Sequence, residues 1–171
     1  MRNLDPFLCC VVPAHNEAEN LKEFIPALSQ SLKQQNIRFE ILVVDDGSKD
    51  NTIEVLQELL KDYPLRVLEL SRNFGKEAAL YAGLDHVDAD LVLLIDADFQ
   101  HPLNVIPIML NLWKEGYEMI YGIRNRETES WIKKSCTKIF YKILNASSTV
   151  DIPENAGDFR LLDAKVVHAI R

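Results

Sequence analysis

Residues 91–102 read LVLLIDADFQHP, and the reading of this stretch decides the fold. Five apolar residues run into two aspartates separated by a single alanine. An unbroken apolar run of that length, here taken as a strand over 91–98, indicates burial on both faces of a parallel sheet. Carboxylates are costly to bury, so Asp96 and Asp98 belong where the strand leaves the core. Two like charges at i and i+2 repel unless a cation lies between or beside them. A hard divalent ion with oxygen ligands neutralises both and can carry a diphosphate.

Outward from this strand, FLCCVVP (7–13), FEILVVDD (39–46), LRVLEL (65–70) and YEMIYGI (117–123) also read as strands. Helical patterns lie between them at about 18–35, 51–62, 76–87 and 103–115. The alternation indicates βαβ units, hence an α/β fold with a mainly parallel sheet and helices on both faces. Cap-type residues in SKDN precede the second helix, and Pro102 suits an early position of the fourth. Beyond Gly122 a polar loop, RNRETES, leads to a helical stretch, WIKKSCTKIFYKILN, and the final LLDAKVVHAIR reads as a helix that stops with the chain. No internal repeat or low-complexity segment interrupts the pattern.

A chain of 171 residues with 47% hydrophobic content suits one globular domain with a sizeable core. Its formal charge of −7 argues against general nucleic-acid binding, which favours a basic face. No apolar run approaches the roughly 20 residues needed to cross a bilayer, and no signal-peptide pattern opens the chain. Cys9, Cys10 and Cys136 form neither a disulfide framework nor a metal-ligand spacing, and read as reduced thiols.

Ligands of open α/β sheets collect at the carboxyl ends of the strands. Three polar clusters fall there: PAHNE after the first strand, DDGSKD after the second and DADFQH after the fourth. Each alone is compatible with ordinary turn and cap chemistry. Acidic clusters at three strand ends on one rim point further, to a mononucleotide–metal site. No G-x-G-x-x-G follows the first strand, and Gly75-Lys76 in SRNFGKEAAL lacks the rest of a P-loop and reads as a helix start.

With VVPAHNEAENL, ILVVDDGSKDNT, SRNFGKEAALYAGL, DADFQHP and GDFRLLD in this order, residues 7–165 resemble family-2 glycosyltransferases, most closely the polyprenyl-phosphate branch of dolichyl-phosphate mannose synthase and bactoprenol glucosyltransferase type. The resemblance implies a GT-A (Rossmann-like) fold and a metal-dependent, inverting hexosyl transfer. The donor would be a nucleotide sugar of UDP-glucose or GDP-mannose type, the acceptor a polyprenyl phosphate, the cofactor Mg²⁺ or Mn²⁺. It assigns Pro13, His15, Glu17, Asp46 (rather than Asp45), Asp96, Ala97, Gln100, Arg124 and Lys134 to the nucleotide. Asp96 and Asp98 are assigned to the metal, and Asp158, beside Arg160, to the catalytic centre with Asp98. A phosphate monoester has a second pKa near ~6 and is mostly ionised at neutral pH, so Asp158 is expected to orient acceptor or metal rather than remove a proton.

Within 131–145, Lys133, Lys134, Lys138 and Lys142 alternate with apolar residues behind Trp131. Such a basic amphipathic helix either packs normally with a solvated lysine face or lies on an anionic membrane, and the resemblance favours an acceptor- and membrane-facing role for 124–150. Members of the branch usually continue into further amphipathic segments and two transmembrane helices. The expectation is therefore a single catalytic domain over 1–171, shortened at its end and itself soluble, from an enzyme at the cytoplasmic membrane face. Two alternatives stay open: a transferase with a soluble glycan acceptor, which GDFRL disfavours, and a non-catalytic nucleotide-sugar-binding domain. A nucleotidyltransferase would need a Gly-rich loop where PAHNEAEN stands.

Overall fold

The computed structural model describes residues 5–123 and 156–171. The chain divides into two compact units, Met1–Ile120 with Asp158–Arg171, and Tyr121–Gly157, and the buried clusters described here lie in the first. Six strands, β1 (Phe7–Ala14), β2 (Arg38–Asp45), β3 (Leu65–Glu69), β4 (Leu91–Leu94), β5 (Met119–Ile123) and β6 (Ala156–Asp163), form one sheet in the order β3-β2-β1-β4-β6-β5. The β1–β2, β2–β3 and β1–β4 pairs are parallel, and β4–β6 is antiparallel. The helices are α1 (Ala18–Gln34), α2 (Thr52–Leu59), α3 (Lys76–Asp85), α4 (Ile106–Glu115), entered through a 3-10 turn at Leu103–Val105, and α5 (Ala164–Ile170).

Strand residues alternate between faces, and the core divides accordingly. Leu8, Cys10 and Val12 of β1, with Ile41 and Val43 of β2, pack against α1, α2 and α4, where Phe24, Leu28 and Trp113 are buried. Cys9 and Val11, with Leu42 and Val44, pack against Leu80 and Leu84 of α3 and Val167 of α5. Each fully buried Leu, Ile or Phe contributes roughly 1.5–3 kcal/mol relative to exposure. Helix α3 lies very close to the sheet at Gly83, where a Cβ would stand 2.4 Å from Val11 Cγ1. The adjacent thiols of Cys9 and Cys10 thus face opposite halves of the core, and burial pushes both far above the usual thiol range. The expected mainly parallel sheet with helices on both faces is the one observed.

Three details differ from expectation. Strand β4 ends at Leu94, the last residue paired with β1, so Asp96 and Asp98 stand in the loop beyond it. Strand β6 was not expected, and the helix anticipated across LLDAKVVHAIR begins only at Ala164, because Leu161–Asp163 pair with β4. Arg124, Lys134 and the helical stretch 131–145 lie outside the described residues. Among the described residues no helix is long and apolar enough to cross a membrane.

The strand order determines where a ligand can sit. From β1 the chain steps outward to β2 and β3, then returns past β1 to β4 on its other side. Such a reversal opens a crevice beyond the carboxyl ends of β1 and β4, where open α/β sheets bind ligands.

Candidate active site

The loops leaving β1 and β2 are stitched together. The Asp46 N–H donates to the Ala14 carbonyl at 2.8 Å, extending the parallel ladder one step past β2. Asn16, in the left-handed region at φ 56°, donates its N–H to Ser48 Oγ and accepts from Lys49 N–H at Oδ1, both at 2.8 Å. Asparagine tolerates that backbone conformation better than most residues. The Glu17 N–H donates to Thr52 Oγ1 at 3.1 Å, and that hydroxyl donates to Asp50 Oδ1 at 2.6 Å. His15 Nδ1 lies 2.8 Å from the Asp46 carbonyl, and Asn16 Nδ2 lies 3.1 Å from His15 Nε2. Both contacts are satisfied by an imidazole that carries its proton on Nδ1.

Asp45 and Asp46 are both buried but serve different ends. Asp45 Oδ2 accepts from Ser48 N–H within its own turn, and its Oδ1 has no partner among the described residues. Asp46 faces the cleft and holds the loop that enters α3: Oδ1 accepts from Phe74 N–H at 2.7 Å and Oδ2 from Gly75 N–H at 2.8 Å. These are charge-assisted bonds, and each carboxylate oxygen keeps a further acceptor position.

Past β4, Ile95 and Ala97 turn into the core, which leaves Asp96 and Asp98 on the other side of the backbone. The alternation resolves the puzzle of the paired aspartates: a small apolar residue anchors the turn while two carboxylates stay accessible. Phe99 follows at φ 56°, an uncommon conformation for a bulky side chain, with its ring edge-on to Phe24 at 5.2 Å. The Gln100 N–H donates to Asp98 Oδ1 at 2.9 Å. Asp96 Oδ2 accepts from Lys76 Nζ at 2.8 Å, and Nε2 of buried His101 stands 3.7 Å from the same oxygen. His101 is held in place by stacking on Phe159 of β6.

Pro13, His15, Glu17, Asp46, Asp96, Ala97 and Asp98 therefore line one open cleft of about 270 Å³. Ala14, Asn73, Gly75 and Lys76 complete its walls. Sequence reasoning did not assign these four to the site; the signal was their place, since Asn73–Lys76 follow β3 at the same end of the sheet. Gln100 is exposed at the edge, outside the cleft walls. Arg160 lines a separate, more apolar hollow of about 330 Å³ between α3 and α5. Asp158 lies on β6, two residues before Arg160, which is paired with Leu94 at the end of β4. Arg124 and Lys134, expected at the diphosphate, fall outside the described residues.

The donor set suits a hard cation. Asp96 and Asp98 offer carboxylate oxygens only two residues apart at the cleft. One or two carboxylates of this kind can serve a Mg²⁺-type ion when phosphate oxygens and water supply its other ligands.

A family model described as glycosyl transferase family 2 matches residues 9–171. The chain is 42% identical over 166 residues to an uncharacterized glycosyltransferase of Synechocystis sp., covering 96% of this chain and 52% of that one. It is 41% identical over 163 residues to the bactoprenol glucosyl transferase of Shigella phage SfV, covering 94% and 53%. The chain thus spans about half the length of the curated relatives it matches. In structure it resembles a mannosyltransferase from Pyrobaculum calidifontis in complex with GDP-Man and Mn²⁺, with a TM-score of 0.67 at 19% identity over 99% of this chain and 48% of that chain.

Proposed function

The chain belongs to glycosyl transferase family 2, and from that premise we propose that it is the catalytic domain of an inverting hexosyltransferase that moves a sugar from a nucleotide sugar to a polyprenyl phosphate at the cytoplasmic face of a membrane. The observation that carries the reading is the convergence of Pro13, His15, Glu17, Asp46, Asp96, Ala97 and Asp98 on one cleft. Identity to a bactoprenol glucosyl transferase favours the lipid phosphate acceptor over a soluble glycan.

In this reading the β1 and β2 loops, with Asp46 between them, hold the nucleoside end of the donor. Asp96 and Asp98 would hold Mg²⁺ or Mn²⁺, which would supply Lewis-acid charge for the diphosphate. Arg124 and Lys134 add charge-assisted hydrogen bonds to the phosphates. One acceptor phosphate oxygen forms the new bond at the anomeric carbon from the face opposite the breaking one, and the nucleoside diphosphate leaves. The acceptor is already an oxyanion, so Asp158 orients it rather than deprotonating it.

The test is a thermal-shift panel of UDP, GDP, UDP-glucose and GDP-mannose with Mn²⁺, Mg²⁺ or EDTA, followed by transfer assays. A ligand at 100 times its Kd stabilises the fold by roughly 2.7 kcal/mol, a readable shift. One base with a metal is expected to stabilise, and Asp158→Asn is expected to keep that shift while losing transfer at every pH. Folded protein that responds to no nucleotide would overturn the reading. Recovery of Asp158→Asn turnover at higher pH would overturn the role given to Asp158.

A further inference from the structure

We propose that Lys76 is an internal counter-ion of the donor site, holding Asp96 until a nucleoside diphosphate takes over its ammonium group, so that nucleotide and divalent cation bind as a coupled pair. The inference rests on the donor-site reading and adds to it a residue that the sequence presented only as a helix start.

Lys76 Nζ lies 2.8 Å from Asp96 Oδ2, with Nε2 of His101 3.7 Å from the same oxygen. One of the two carboxylates available to a cation is therefore already engaged by a positive charge. A divalent ion arriving alone must share Asp96 with that ammonium or displace it, and either way it sits close to a positive charge that repels it. A nucleoside diphosphate changes the balance, because its anionic oxygens attract the ammonium within the same cleft and draw it away from Asp96.

The partners are suited to such an exchange. The Lys76 side chain is 39% exposed and that of Asp96 18%, so the lysine is the more open of the two to an incoming anion. Its flexible stem allows Nζ to move without moving the helix. The backbone beneath is held, since Phe74 and Gly75 donate to buried Asp46 and Gly75 stands at the start of α3. Asp46 thus positions the lysine that guards Asp96, and the loop between them joins the two acidic ends of the cleft.

The experiment is Mn²⁺ titration read by electron paramagnetic resonance on the full chain, wild type, Lys76→Met and Lys76→Arg, alone and with saturating UDP or GDP. Calorimetric titrations of the same nucleotides in EDTA accompany it. Wild type is expected to bind Mn²⁺ weakly alone and roughly tenfold or more tightly with nucleotide. Lys76→Met should bind Mn²⁺ alone roughly five- to tenfold more tightly than wild type, bind nucleotide in EDTA more weakly, and show reduced coupling. Lys76→Arg, which keeps the charge, should keep the weak metal affinity. A purely structural lysine would weaken both ligands together in Lys76→Met, and that result, or unchanged Mn²⁺ affinity, overturns the proposal while leaving the donor site intact. Folded wild type that binds neither nucleotide overturns the donor-site reading and this proposal with it. Should Lys76→Met fail to fold, Lys76→Gln carries the same test.

Discussion

Gly47 stands where a side chain does not fit: its φ is +65°, and a Cβ placed on it would lie 2.4 Å from the Arg72 carbonyl carbon and 2.6 Å from the Asn73 nitrogen. Those neighbours are backbone, so the Arg72–Gly75 loop itself would have to shift, and with it the two N–H groups that Asp46 receives. Gly47→Ala is expected to destabilise the fold by roughly 1–3 kcal/mol, seen as a lower urea midpoint, and to weaken nucleotide binding beyond that. An unchanged midpoint together with unchanged affinity would refute the close approach. The same residues show how far the site was legible. Asp-Gly-Ser reads as a turn from local chemistry, and it is one. Asp46 was preferred to Asp45 only through the family resemblance; the structure keeps Asp45 bonded within its own turn and puts Asp46 in the cleft wall. Its bonds to Phe74 and Gly75, and that of Lys76 to Asp96, were not legible, because they join residues brought together only by the strand order.

At the scale of elements, strands buried on both faces announced themselves, and β6 did not. FLCCVVP and FEILVVDD read correctly because a short, continuous apolar run bounded by polar turns suits little besides a strand covered on both sides. In β6 the apolar residues Phe159, Leu161 and Leu162 run into Val166, Val167 and Ile170 of α5, so strand and helix merge into one helix-like pattern. Asp163 marks the break. Its Oδ1 accepts from Lys165 N–H as the cap of α5, its Oδ2 accepts from Trp113 Nε1 of α4 at 2.7 Å, and its N–H donates to the Glu118 carbonyl. Asp163→Ala removes a cap of about 1 kcal/mol. It also removes a buried hydrogen bond to a charged group, of about 1.5–3 kcal/mol. A loss of roughly 2–4 kcal/mol in chemical denaturation is expected. Nucleotide affinity should be unchanged in the folded variant, since Asp163 pairs with Leu91 at the start of β4 and the cleft opens beyond its end. A selective loss of nucleotide binding would contradict that placement.

Across the whole molecule, alternating strands and helices made a parallel sheet legible, but the order β3-β2-β1-β4-β6-β5 was not. That order decides the site, because it opens the crevice between β1 and β4 and brings the loop after β3 to the same rim. The first compact unit holds two buried clusters of its own, one with Phe24 and Trp113 and the other with Leu80 and Val167. The Asp163 N–H bond to the Glu118 carbonyl joins the chain before β5 to the end of β6, inside that same unit. Stability of the sheet and its donor cleft should therefore be separable from residues 124–155, where the expected phosphate-binding Arg124 and Lys134 and the basic stretch lie. Replacing 124–155 by a flexible linker of about eight residues is expected to leave one cooperative thermal transition. The metal-dependent nucleotide shift should remain but weaken, as two phosphate contacts are lost, and transfer to polyprenyl phosphate should vanish. Loss of the cooperative transition would show that the first unit depends on the second. Full transfer by the shortened chain would move the acceptor site out of 124–150 and back to the sheet.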